Sequence, residues 1–365
     1  MKGSKITYSS SGVDYAAIDP LKKLAQLKAI ETSLDSDLKV VNESRGESAF
    51  VWEEEDCYKA FVLEDLGTKN LVADEMRKIT GKTYYNHLAQ DTVAMIVNDL
   101  AVVGAKPQVI NAYFAAGSSE WFADQQKIKD LTEGWASSCK MAGAVWGGGE
   151  SPALSGIMYP QAAELAGSAI GIIKPKERLT LGKKLQAGDA LLLIESSGIH
   201  SNGLTLARAI ADKLPQGYSA KLPDGSSYGE ILLTPTYIYV PLVQALLEEG
   251  LDIHYMVNIT GHGWKKLMRA KADFTYLITQ IPPISPIFEF IQEKSGSSDS
   301  DMYATFNMGA GFAIFLPADQ VEKLQQIAQK NNLKSWHAGS VSEGEKQVVI
   351  QPKNITFKSG DLDLR

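Results

Sequence analysis

The run Glu195–Gly203, ESSGIHSNG, concentrates serine hydroxyls, glycines, an imidazole and a carboxamide in one short stretch. It follows Ala190-Leu-Leu-Leu-Ile194, an apolar run that reads as a buried strand. It precedes Leu204-Thr-Leu-Ala-Arg-Ala-Ile-Ala211, which reads as the start of a helix. A polar, glycine-bearing turn between a strand and a helix N-terminus is where backbone N–H groups point outward at an anion. Ser197, Gly198, Ser201 and Asn202 are its candidate substrate contacts, and His200 is the candidate for acid–base or electrophilic work. Taken alone, an ordinary strand–helix turn explains the composition equally well.

Four further polar segments carry comparable chemistry: Glu64-Asp-Leu-Gly-Thr-Lys69, Asn98-Asp99, Gly147-Gly-Gly-Glu-Ser151 and Ile259-Thr-Gly-His-Gly263. Carboxylates recur along the chain at Glu64, Asp65, Asp91, Asp99 and Glu150. Scattered hard oxygen ligands suit magnesium–nucleotide binding, because Mg²⁺ keeps waters and takes only a few carboxylates. Glycines such as Gly148 and Gly149 let a backbone approach phosphate oxygens closely. Asp99 stands on an otherwise apolar helical stretch, where an unpaired carboxylate is costly to bury. By chemistry alone Lys69 reads equally well as a solvated lysine, and Glu53-Glu-Glu-Asp56 as a solvated acidic loop. His262 lies between two glycines, while His87, His254 and His337 lack a suggestive context. Neither GxxxxGK[ST] nor GxGxxG occurs, which disfavours a P-loop or dinucleotide enzyme.

The elements that must position these groups alternate irregularly between helix and strand. Leu21, Leu24, Leu27 and Ile30 recur at helical spacing over Pro20–Ile30. Residues 61–69 read as a strand running into a glycine turn, and 90–103 as a helix apolar on most faces, capped by Gly104 and stopped by Pro107. Strands are expected over 108–116, 144–146, 167–173 and 305–316, and helices over 119–142, 235–249 and 317–331. Residues 294–300 read as a polar loop. The connector Lys174-Pro-Lys-Glu-Arg178 marks a domain boundary, giving an N-terminal domain over 1–174 and a C-terminal domain over 175–365.

A chain of 365 residues is long enough for two domains, each with its own core. The net charge of −7 argues against a nucleic-acid partner, which would require basic surface. Cys57 and Cys139 form no CxxC pair, which disfavours a zinc site or a disulfide framework. The opening MKGSKITYSSSGVDY lacks an apolar core of signal-peptide length, and no apolar run is long enough to span a membrane. A cytoplasmic setting is the resulting expectation.

The motifs, in order, resemble those of the phosphoribosylformylglycinamidine cyclo-ligase (aminoimidazole ribonucleotide synthetase) family along most of the chain. Ser11-Gly-Val-Asp14 resembles the family's AGVD, and Gly67-Thr-Lys69 the end of its DGVGTK. Asp91-Thr-Val-Ala-Met-Ile-Val-Asn-Asp-Leu100 resembles DLVAMCVNDL, Gly104-Ala-Lys-Pro107 resembles GAEP, and Gly148-Gly-Glu-Ser151 resembles GGET. Ser196–Gly203 resembles SSGPHSNG, and Leu233-Thr-Pro-Thr-Tyr-Ile-Tyr-Val240 resembles LAPTRIYV. Ile259–Gly263 resembles LTGGG, and Thr305-Phe-Asn-Met-Gly-Ala-Gly311 resembles TFNMGVG.

The resemblance implies an α/β (α+β) two-domain fold and a homodimer. Its N-terminal sheets would join in a shared barrel, and its C-terminal domain would be a mixed sheet with helices. It also implies an ATP- and Mg²⁺-dependent ring closure of a ribonucleotide, with no nucleic-acid or membrane partner. His200, Asp99 and Lys69 would then be catalytic. Thr68, Gly148, Gly149 and Glu150 would hold nucleotide phosphates, and Glu64, Asp65, Asp91 and Asp99 the metal. The chain departs from the family pattern at Glu64 and Asp65, where the family has Asp and Gly, and at Ala153, Ile199 and His262. Arg45–Asp56 stands where a glycine-rich loop is expected. Two other readings are another ATP-using enzyme of the superfamily with a different acceptor, and a non-catalytic ribonucleotide-binding homologue.

Overall fold

The computed structural model describes residues 15–362. The Ser11–Asp14 motif and the Leu364-Arg365 terminus lie outside the described residues. The N-terminal half contains helices α1 (Tyr15–Glu31), α2 (Lys69–Thr80), α3 (Tyr85–Val102) and α4 (Gln125–Met141). Its strands are β1 (Lys39–Val40), β2 (Phe50–Glu53), β3 (Tyr58–Asp65), β4 (Lys106–Ala116), β5 (Val145–Glu150) and β6 (Ala163–Ile173). They form a six-stranded sheet in the order β1-β2-β3-β6-β4-β5, antiparallel except for the parallel β4–β5 pair.

Strand periodicity sends alternate side chains to opposite faces of this sheet. Ala60 and Val62 of β3 and Leu165 and Ala169 of β6 are buried beneath α3 and α4, on the face anchored by Trp135 and Leu131. The other face leaves Phe61, Leu63, Val109, Tyr113, Val145 and Ile170 exposed.

The C-terminal half contains β7 (Ala190–Glu195), α5 (Leu204–Ala211), α6 (Tyr228–Leu232), α7 (Val240–Glu248), β8 (Tyr255–Asn258), β9 (Thr275–Ile278), α8 (Pro286–Ser295), α9 (Asp299–Thr305), β10 (Ala310–Leu316), α10 (Val321–Lys330), β11 (Ser335–Ser342), β12 (Gln347–Ile350) and β13 (Ile355–Lys358). Its seven strands run β13-β12-β9-β11-β7-β10-β8, with only β9–β12 parallel. Every residue of β10 is buried, as a central strand covered on both faces requires.

Several expected boundaries shift. Residues 235–239 are not helical: they lie extended along α3, and Val240 begins α7 with Pro241 in its first turn. Residues 305–309 lead into β10 rather than belonging to it, and the polar stretch 294–300 already contains the start of α9, closed by a Ser298–Asp301 capping box. The 119–142 helix divides into a 3-10 turn, Ser119–Ala123, and α4, with Asp124 as N-cap. The Gly147–Glu150 turn is part of edge strand β5. The Glu53–Asp56 run is not merely solvated, because Glu53 and Asp56 pair with Lys176 and Lys174 of the connector. The leucine row of α1 is exposed, from 40% at Ile30 to 69% at Leu21. At 3.6 residues per turn, three-residue spacing sweeps around the helix and does not hold one face.

Candidate active site

Helix α3 is the spine between the two halves. Segment 233–239 lies along it through side-chain-to-backbone bonds. Gln90 Nε2 donates to Thr236 O at 2.9 Å, Asn98 Nδ2 to Tyr237 O at 2.9 Å, and Tyr239 N to Asn98 Oδ1 at 2.8 Å. Buried backbone groups require such partners, and α3 supplies them from polar residues spaced along one of its faces.

Lys69, at the start of α2, crosses this junction with no solvent exposure. Its Nζ donates to His200 O at 3.0 Å and Thr234 O at 2.9 Å, and lies 2.8 Å from Asp91 Oδ2. The two backbone carbonyls and the Asp91 carboxylate together suit an ammonium at this point. Asp91 Oδ1 accepts from Thr236 N at 2.8 Å and Thr236 Oγ1 at 2.5 Å. Burial pushes the Lys69 ammonium down and the Asp91 carboxyl up, and each opposes that shift by holding the other ionised. These contacts make Lys69 and Asp91 an interdomain lock: the lysine holds two backbone carbonyls of the other half, and Asp91 holds Thr236.

His200 also turns inward. It is 2% exposed, its backbone is left-handed at φ 59°, and its ring packs near Tyr239. Ser197 N donates to Nε2 at 3.2 Å, which assigns the proton of the neutral ring to Nδ1. Burial, with the Lys69 charge, lowers its pKa to about 3. A neutral imidazole enclosed in this way braces the turn.

The rest of the turn is fastened by Asn307, a residue that the sequence motifs contained but did not single out. Asn307 Oδ1 accepts from Ser196 Oγ at 2.9 Å and from Gly309 N at 2.9 Å, while its Nδ2 donates to Gly198 O at 2.8 Å. Ser197 Oγ donates to Pro235 O at 2.6 Å. Asn202 Nδ2 reaches Met95 Sδ at 4.0 Å. Ser201 Oγ and Thr68 Oγ1 are buried without a hydrogen-bond partner.

The carboxylates divide by strand parity. Glu64 points to the helix-covered face of β3, towards Asp99 of α3, whereas Asp65 is exposed on the opposite face with Glu164 of β6. Burial, then the Asp99 charge, raises Glu64 to about 8. Burial, then Asp65, raises Glu164 to about 7. Adjacent strand residues cannot share one metal on one face, so Glu64 and Asp65 separate into different groups. Glu150 is exposed on edge strand β5 and accepts from Ser151 N at 3.0 Å, with Gly148 left-handed beside it at φ 125°. Among the described residues, no group of three or more His, Cys, Asp or Glu is placed to hold a metal ion.

On the inner face a group unforeseen from the sequence surrounds Asp99. Asn258, the last residue of β8, donates to Asp99 Oδ1 at 2.7 Å. Lys266, on the 3-10 turn Gly263–Met268, is 6% exposed and donates to Thr260 Oγ1 at 2.6 Å. Burial lowers its ammonium to about 8, against the attraction of Asp99 and Glu64. His262 is half-buried on the same segment, and burial with Lys266 nearby lowers it to about 4. Thus Glu64, Asp99, Asn258, Thr260 and Lys266 form one polar group at the junction of the two domains. A cavity of about 1390 Å³ lies elsewhere, on the solvent side of α2 between Arg77, Trp121, Tyr159 and Arg208. It contains none of the expected site residues.

Comparisons with known proteins place the chain in a family. Residues 55–173 match the family model described as AIR synthase related protein, N-terminal domain, and residues 186–351 match its C-terminal domain. A phosphoribosylformylglycinamidine cyclo-ligase of Methanobrevibacter smithii is 33% identical over 358 residues, covering 96% of this chain and all of that protein. The protein of the same name from Shouchella clausii is 36% identical over 293 residues, covering 78% of this chain and 81% of that one. Among solved structures, AaThiL complexed with AMPPCP and TMP aligns with a TM-score of 0.62 at 15% identity, covering 93% and 96% of the two chains. T. maritima PurL complexed with FGAR aligns with a TM-score of 0.57 at 16% identity, covering 87% of this chain and 47% of that one. These structural likenesses concern the fold.

Proposed function

Because the chain belongs to the AIR synthase related family, we propose that it is an ATP-dependent cyclo-ligase. In this reading it converts formylglycinamidine ribonucleotide to aminoimidazole ribonucleotide in purine biosynthesis. The observation that carries it is the interdomain polar group, where Asp99 of the first domain accepts from Asn258 of the second, with Glu64 and Lys266 in the same electrostatic group. The domain boundary falls between residues 174 and 175, and the setting is cytoplasmic.

The residues fit a magnesium nucleotide. Like charge between Glu64 and Asp99 is what a bound cation relieves, and Mg²⁺ needs only one or two carboxylates when phosphates complete its shell. Thr68 Oγ1 and Ser201 Oγ are buried hydroxyls without partners, available to phosphate or ribose oxygens. Bound Mg·ATP supplies the phosphoryl group that activates the formyl oxygen, which leaves as phosphate when the amidine nitrogen closes the ring.

The chain's own part is positioning and electrostatics. Asn258 fixes the rotamer of Asp99. Asn307 and the neutral His200 hold the 196–203 turn, so that Ser201, Asn202 and the Gly198 backbone face substrate in a set geometry. The Lys69–Asp91 lock keeps the two domains in register. Gly148, Gly149 and Glu150 belong to this reading as nucleotide contacts on the edge of the sheet. Phe61, Leu63, Val109 and Tyr113 form the apolar face of a homodimer.

Incubating the purified protein with formylglycinamidine ribonucleotide and Mg·ATP tests this function. Aminoimidazole ribonucleotide and ADP should form in equal amounts. ADP without the aminoimidazole would assign another acceptor, and neither product would overturn the reading.

A further inference from the structure

The buried ammonium of Lys266 is incompletely partnered. Thr260 is its one hydrogen-bond partner among the described residues, and no carboxylate among them lies within ion-pair distance. An ammonium carries three N–H donors, and leaving donors of a buried charged group without acceptors is costly. Asp99 and Glu64 act on Lys266 through space, while Asp99 itself accepts from Asn258 Nδ2 at 2.7 Å. Arg269 and Lys22 add positive field to the same point, while Arg269 itself is held by Gly46 O at 2.9 Å and Ser48 Oγ at 3.0 Å. A fixed, hydrogen-bond-deficient cation therefore stands in the field of two carboxylates, neither within ion-pair distance of it.

We propose that Lys266 is a phosphoryl-oxygen ligand: braced by Thr260, its ammonium donates to an anionic oxygen while Glu64 and Asp99 hold the accompanying cation. The inference rests on the phosphoryl chemistry proposed for the polar group and adds a residue that the sequence motifs did not point to. A charge-assisted bond from a buried ammonium to a phosphoryl oxygen satisfies the donors that the protein leaves open. Thr260 sets the direction, because its hydroxyl accepts from the lysine and leaves the other N–H groups turned away from it. The phosphoryl oxygen has two candidate sources, the nucleotide and the ribonucleotide substrate, and they are separable by experiment.

Binding of a non-hydrolysable Mg·ATP analogue and of ribose 5-phosphate is measured by calorimetry on wild type, Lys266→Met and Lys266→Arg. Lys266→Met should weaken one of the two by about 10- to 100-fold and leave the other nearly unchanged, with Lys266→Arg recovering part of the loss. Whichever ligand weakens is the source of the oxygen. Equal binding of both ligands by wild type and Lys266→Met overturns the proposal. If Lys266→Met does not fold, wild-type crystals grown with each ligand decide instead. A phosphoryl oxygen within hydrogen-bond reach of Nζ supports the role, and its absence from both complexes overturns it. Lys266-dependent binding without ring closure would sink the proposed reaction and keep this inference. Ring closure at wild-type KM and kcat in Lys266→Met would do the reverse.

Discussion

Lys69 Nζ and Asp91 Oδ2 meet at 2.8 Å with no solvent exposure on either side chain, and the lysine also bonds two backbone carbonyls of the other domain. One ion pair thus ties the start of α2, the middle of α3, the 196–203 turn and the 233–239 segment. Removing one partner leaves a buried charge uncompensated. Lys69→Met and Asp91→Asn should each destabilise the fold by about 3–5 kcal/mol. The double variant Lys69→Met/Asp91→Asn should lose less than the sum. Urea denaturation of the three variants checks this, and additive losses would show that the two groups do not interact.

His200 gives a pH dependence of stability with a defined sign. Its folded pKa, near 3, lies below the ordinary imidazole value of 6.5, so the unfolded chain binds more protons between those values. The contribution of the neutral buried ring is complete above pH 6.5 and is lost as pH falls towards 3. One proton corresponds to a slope of about 1.4 kcal/mol per pH unit in that window. His200→Asn should be less stable at neutral pH but lose less stability on acidification. Parallel stability–pH curves for the two proteins would contradict the buried neutral assignment.

The sequence made the apolar strands, the capped helices and the locations of polar turns legible, because those follow from local periodicity and turn chemistry. It left partner choice hidden. Lys69 reads as a catalytic or a solvated lysine and Asp91 as a metal ligand, since nothing local reveals that α2 and α3 bring them together without water. Glu64 and Asp65 are neighbours in sequence but face opposite sides of β3, a separation that period-two geometry predicts once the strand is known to reach Asp65. Lys266 and Asn307 were missed because each acquires its role through contacts made across the fold. The available signal was their place within or beside matched motifs: Asn307 in TFNMG, and Lys266 just beyond ITGHG.

The open face of the N-terminal sheet should bury itself against a second copy. Leu63 is 68% exposed and Val145 67%, with Phe61, Val109, Tyr113 and Ile170 between them across the neighbouring strands. Sedimentation at micromolar concentration should show a dimer. Leu63→Glu should give a monomer with unchanged far-UV circular dichroism, because the side chain lies outside the chain's own core. A monomeric wild type removes the shared-sheet arrangement.

Asn307→Ala should loosen the 196–203 turn. It removes the acceptor of Ser196 Oγ and of Gly309 N, and the donor to Gly198 O. Each buried group left unpaired costs about 1–3 kcal/mol. The expected kinetic signature is a raised KM for the ribonucleotide with a smaller change in kcat, since the turn positions substrate and carries no reacting group. A loss confined to kcat, with KM intact, would place Asn307 nearer the chemistry.

Asp99→Asn should lower kcat by about 10²- to 10³-fold while preserving the fold. The substitution keeps the shape of the side chain, and its amide oxygen still accepts from Asn258 Nδ2, so the contact between α3 and β8 survives. What disappears is the negative charge that faces Lys266 and Glu64. With that charge gone, Glu64 loses a repulsive neighbour and its carboxyl titrates lower, while Lys266 loses its strongest attractive neighbour. The metal requirement should shift with the rate, reaching half-maximal activity only at higher Mg²⁺. Steady-state kinetics across a Mg²⁺ series, alongside thermal melting, separates the effects. Wild-type kcat and Mg²⁺ dependence would remove Asp99 from the chemistry, and a lowered melting temperature with normal kinetics would confine it to the domain junction.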